Sequence, residues 1–106
     1  MSDSVKSIGE KDFESETAKG VSLVDFWADW CGPCRMVGPI IERLANRFRE
    51  KVKFLKVNID NEPELTNKHG IRAVPTLMIF KDGKSVETIV GVHSEAEMEK
   101  TLKKHI

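Results

Sequence analysis

The seven residues from Val21 to Trp27 read Val-Ser-Leu-Val-Asp-Phe-Trp, and no other run constrains the fold as tightly. A strand with one face in water alternates apolar and polar side chains. This run is apolar almost throughout, so it suits a central strand covered on both faces. Shortly after it, Met36, Val37, Ile40, Ile41, Leu44 and Phe48 recur at helical spacing. The stretch from Cys34 to Arg49 therefore reads as an amphipathic helix, with Arg43, Asn46, Arg47 and Arg49 left for solvent. Val52 to Ile59 supplies a second buried strand, which completes a βαβ half.

The flanking segments extend this pattern. Glu10 to Lys19 reads as a first helix ended by Gly20 in the C′ role. Asn61-Glu62-Pro63 caps and opens a short helix that stops at Gly70. Thr76 to Phe80 and Ser85 to Val90 flank Lys81-Asp82-Gly83-Lys84, whose Asp-Gly pair predicts a hairpin of antiparallel strands. Ser94 and Glu97 form a capping-box pattern at the start of a closing helix with Met98 and Leu102 on its inner face. His93, directly before that cap, is expected to pack on Met98 rather than to serve redox chemistry. Pro39 is expected to kink the long helix, and the adjacent Gly38 weakens it by about 0.5 to 1 kcal/mol relative to alanine. The expectation is an α/β fold in one domain, residues 1–106. Its mixed sheet of four to five strands carries helices on both faces.

Composition excludes several function classes. Hydrophobic residues make up 40% and charged residues 32%, a globular balance large enough for a core without staples. Seventeen basic and seventeen acidic residues cancel, which removes the electrostatic footprint of a nucleic-acid binder. The opening Met1-Ser2-Asp3-Ser4-Val5 shows no basic region followed by an apolar stretch, and no run approaches membrane-spanning length. A soluble protein of the reducing cytoplasm is expected, without nucleic acid or membrane as partner.

Cys31 and Cys34 are the chain's two cysteines, and they lie in Trp30-Cys31-Gly32-Pro33-Cys34, between the central strand and the long helix. Free N–H groups and the positive end of the helix dipole beside Cys31 favour its thiolate, so Cys31 is the candidate nucleophile and is expected to be the exposed thiol. Cys34 is close enough to close a small ring and resolve a mixed disulfide formed on Cys31. Zinc is disfavoured, because a closed site needs four ligands and His69, His93 and His105 are scattered. A purely structural disulfide is disfavoured too, since so small a ring removes little unfolded-chain entropy. Gly-Pro between the cysteines suits a helix start, where the missing proline N–H is harmless.

Four segments in order, Val24-Asp25-Phe26-Trp27-Ala28-Asp29-Trp30-Cys31-Gly32-Pro33-Cys34, Asn58-Ile59-Asp60, Val74-Pro75-Thr76 and Lys81-Asp82-Gly83, closely resemble the thioredoxin family across almost the whole chain. The resemblance implies a thioredoxin-like fold and a small monomeric dithiol carrier. It would need no bound cofactor, reduce disulfides in protein substrates, and be re-reduced by a thioredoxin reductase using NADPH or another donor. It also implies that Asp25 is a buried carboxylate of raised pKa acting as general base toward Cys34, with Lys56 as its partner on the neighbouring strand. A solvated strand-end Asp25 and a merely solubilising Lys56 are the alternatives.

Pro75 matches the family's cis-proline, against the alternative of a trans proline at a strand's first residue. Trp30, Gly32, Pro33, Ile59, Val74, Pro75, Gly91 and Val92 would surround Cys31 as a shallow apolar substrate-docking patch, while Trp27 is expected in the core. A disulfide reductase is the leading function. A disulfide-forming oxidant or isomerase, and a docking module with incidental thiols, are the alternatives.

Overall fold

A computed structural model describes residues 4–106; the opening residues read for a targeting segment lie, up to residue 3, outside the described part. The chain runs β1 (Val5–Ser7), α1 (Glu10–Thr17), β2 (Val21–Trp27), α2 (Gly32–Phe48), β3 (Val52–Asn58), α3 (Pro63–Lys68), β4 (Thr76–Lys81), β5 (Lys84–Val90) and α4 (Glu95–Lys103). The strands form one sheet in the order β1-β3-β2-β4-β5. β1 and β2 are parallel to β3, whereas β4 is antiparallel to both β2 and β5, so the sheet is mixed.

β2 is central as its apolar run requires, and its side chains alternate between two cores. Val21 and Leu23 join Val37, Ile41, Leu44, Met98 and Leu102 on the face covered by α2 and α4. Val24 and Phe26 join Phe13, Leu55, Leu65 and Phe80 on the face covered by α1 and α3. Each fully buried Leu, Ile or Phe contributes about 1.5 to 3 kcal/mol against exposure. Asp25 shares the parity of Leu23, so it faces α2.

The observed bounds correct several expectations. α1 ends at Thr17, and Gly20, with φ of +71°, serves the bend that follows rather than the C′ position. α2 begins at Gly32, two residues earlier than the apolar spacing alone indicates, because Cys31 itself caps it. The helix continues through Gly38 and Pro39 to Phe48. Met36 is 64% exposed and does not belong to the buried stripe, which is centred on Val37, Ile41, Leu44 and the small Ala45. β3 stops at Asn58, one residue before Ile59. In the hairpin, Asp82 and Gly83 both adopt positive φ, +51° and +86°, as a two-residue turn matched to strand twist demands. The Ser94–Glu97 capping box is present in full. His93 bonds the Val90 carbonyl at 3.2 Å and borders a depression with Met98.

Candidate functional site

α2 begins beyond the carboxyl end of β2, which is where the sheet geometry gathers reactive groups. Cys31 is the N-cap of that helix, with extended backbone, and its Sγ accepts a 3.1 Å hydrogen bond from the backbone N–H of Cys34. Cys31 and Cys34 form a disulfide, with their Cα atoms 5.3 Å apart. The bond to Cys31 Sγ is the cap interaction that stabilises a helix start, and with a thiolate in place of the disulfide sulfur it becomes charge-assisted. Exposure does not separate the pair as expected: Cys31 is 3% and Cys34 7% exposed, because the disulfide tucks both against Ala28, Trp27, Ile59 and Val74.

The two sulfurs nevertheless meet different surroundings. Cys31 Sγ lies 3.6 Å from the carbonyl oxygen of Val74, whose bond to Pro75 is cis. Cys34 instead borders a cavity of about 350 Å³ shared with Asp25, Trp27 and Lys56. Asp25 is 6% exposed and pairs in register with Lys56 of β3. Its Oδ1 is buried and receives no hydrogen bond from the protein. Burial pushes this carboxyl up from 3.8 to about 7, and the positive charge of Lys56 opposes that rise without cancelling it.

Around the disulfide, Trp30 is 65% and Val92 44% exposed, and Gly32 and Pro33 are also at the surface. Ile59, Val74 and Gly91 are half-buried, and the Gly91 N–H donates to the Pro75 carbonyl at 2.9 Å. Pro75 departs from its expected place on the patch. It is buried and forms a floor, since the strand that starts after it is covered on both faces. Trp27 is half-buried against the cysteines rather than enclosed in either main core, with the Lys56 ammonium 5.6 Å from its ring centre.

A family model described as thioredoxin matches residues 4–104 of this chain. The chain belongs to the thioredoxin family. Among curated relatives, thioredoxin 1 of Synechococcus elongatus is 51% identical over 84 residues, covering 79% of this chain and 78% of that protein. The thioredoxin of Listeria monocytogenes is 43% identical over 102 residues, covering 96% and 99%. A solved structure of Malassezia sympodialis thioredoxin superposes with a TM-score of 0.89 at 36% identity, covering 95% of this chain and 90% of that one. With its Cys-Gly-Pro-Cys pair joined as a disulfide, this thioredoxin-family protein is a redox-active thiol-disulfide oxidoreductase.

Sequence reasoning missed four contributors to this thioredoxin-type site. Asp60 accepts a 2.9 Å bond from Trp30 Nε1 and so fixes the indole; its place directly after Ile59 was the available signal. Arg35 donates to the Asp29 carbonyl at 2.8 Å and, with Glu42, lines the Asp25 cavity. Gly38 also lines it. Nothing in linear spacing ties these α2 residues to Asp25, because the contact exists only once α2 packs on β2 and β3.

Proposed function

We propose that this protein carries two electrons from a thioredoxin reductase to disulfides in other proteins, as a monomer in the cytoplasm. Cys31 is the nucleophile. Its thiolate attacks a substrate disulfide, forms a Cys31–substrate S–S bond and releases one substrate thiolate. Asp25, as carboxylate, takes the proton from Cys34 Sγ. The Cys34 thiolate then attacks Cys31 Sγ, forms the Cys31–Cys34 disulfide and expels the second substrate thiolate. The substrate is reduced and the cysteine pair oxidised. The reductase, supplied by NADPH or another donor, reverses that oxidation.

The observation that carries this reading is the asymmetry of the pair. Cys31 Sγ receives the Cys34 N–H at the helix start, while Cys34 opens on the cavity holding the buried carboxyl. The Lys56 charge offsets part of the rise that burial imposes on the carboxyl. Trp30, Gly32, Pro33, Ile59, Val74, Gly91 and Val92, over the floor of Pro75, offer an apolar surface with little charge, suited to weak docking of many segments. Reduction of insulin disulfides with NADPH and a thioredoxin reductase tests the proposal. Wild type should turn over while Cys31→Ser and Cys34→Ser do not; turnover by the double serine variant would overturn it.

A further inference from the structure

Gly38 has no evident reason to be glycine. It sits inside α2 with ordinary helical backbone, and a Cβ built there meets nothing within 4 Å apart from its chain neighbours and the helix's own backbone. Alanine would fit and would strengthen the helix, so neither backbone strain nor crowding accounts for the residue. Its place in the fold is informative. Gly38 lies one turn beyond Cys34 and one turn before Glu42, and all three border the cavity that reaches Asp25. Side chains on a helix tilt toward its N-terminus, so a side chain at this position would lean toward Cys34 and occupy that space. The cavity reaches the surface beside exposed Asp29, Arg35 and Pro39.

We propose that Gly38 is a positioning residue for the Asp25 step: by withholding a side chain from the cavity wall, it keeps solvent in contact with the carboxyl. The inference rests on Asp25 being the base for Cys34. The proton leaves Cys34 Sγ, resides on the Asp25 carboxylate and must return to water before the next cycle. An open wall provides that exit and also solvates the carboxylate form, which a closed wall would disfavour. The charged groups bordering this path are Lys56 from β3, Arg35 and Glu42 from α2, and Asp29 from the intervening loop. A substitution at Gly38 leaves the number and sign of these charges unchanged.

The test measures single-turnover resolution of a Cys31 mixed disulfide from about pH 5.5 to about pH 9. The proteins are wild type, Gly38→Ala, Gly38→Leu, Asp25→Asn and the Asp25→Asn/Gly38→Leu double variant. Gly38→Leu should be about three- to tenfold slower than wild type near pH 6.5, and the two should converge above about pH 8.5, where Asp25 and the thiol ionise regardless. Gly38→Ala should move the same way by less while melting at a higher temperature than wild type, which separates the effect from any loss of fold. The Asp25 carboxyl midpoint, read by carbon-13 NMR, should rise in both. Unchanged profiles, or slowing that is equal at every pH, would overturn the proposal. So would Gly38→Leu slowing the Asp25→Asn background as much as wild type. If Asp25→Asn alone leaves the wild-type profile intact, the base assignment fails, and the Gly38 proposal with it.

Discussion

Asp25 is a carboxyl held near neutrality by its surroundings. Five of the seven residues in its strand are apolar, and that much was legible in the sequence; the cavity beside the carboxyl was not, because α2 supplies half its wall. Its raised pKa fixes the sign of its effect on stability. The folded state holds the proton more tightly than the unfolded chain, so the benefit is complete below about pH 4 and is lost as pH climbs from 3.8 toward about 7. Each tenfold step in that equilibrium is worth about 1.4 kcal/mol, so Asp25→Asn should stabilise the protein at pH 8 by up to about 4 kcal/mol. Urea titrations at pH 8 and pH 4 check this, with the gain shrinking at the lower pH. Activity should fall in the same variant: resolution of the mixed disulfide should slow near pH 6 to 7 and recover as pH rises, read by rapid quench.

At the scale of elements, strongly patterned runs were legible and short or tertiary-dependent ones were not. β2, α2, the Asp82-Gly83 turn and the Ser94 cap follow from apolar patterning, proline and glycine placement and cap chemistry within a few residues. β1 does not, for it has three residues and becomes a strand only by pairing with the open edge of β3. Met36 fell outside the buried stripe because hydrophobicity alone cannot mark where a helix face turns from the sheet. Removing the α4 cap with Ser94→Ala should cost about 1 kcal/mol, measured by thermal melts.

His69, which follows α3, was unremarkable in sequence, yet its ring centre lies 4.7 Å from that of Phe13 and 5.7 Å from that of Phe80. Burial lowers its pKa from 6.5, with the Lys68 charge adding to that. Its neutral form is therefore favoured by folding, and the stability it lends is present above about pH 6.5 and lost as pH falls below. The stability of His69→Phe relative to wild type should accordingly rise between pH 7 and pH 5 in paired denaturant titrations.

For the whole molecule, the sheet brings together residues far apart in sequence: Asp25 and Lys56 by strand register, Cys31 and Val74 by the loop before β4, Gly91 and Pro75 by a backbone bond. The order of motifs allowed the family, the cysteine pair and a proposed division of labour between its two sulfurs to be read from sequence, while the surroundings that support the division, the Val74 carbonyl near Cys31 and the Asp25 cavity beside Cys34, exist only in the assembled fold. That division is the account's central claim, and mixed-disulfide trapping tests it most directly. Cys34→Ser and Cys31→Ser proteins are incubated with a disulfide-bearing protein, and adducts are identified by mass spectrometry. Cys34→Ser should accumulate a stable adduct on Cys31, and Cys31→Ser should accumulate none; adducts on Cys34 of the Cys31→Ser protein, with none on its counterpart, would contradict the account.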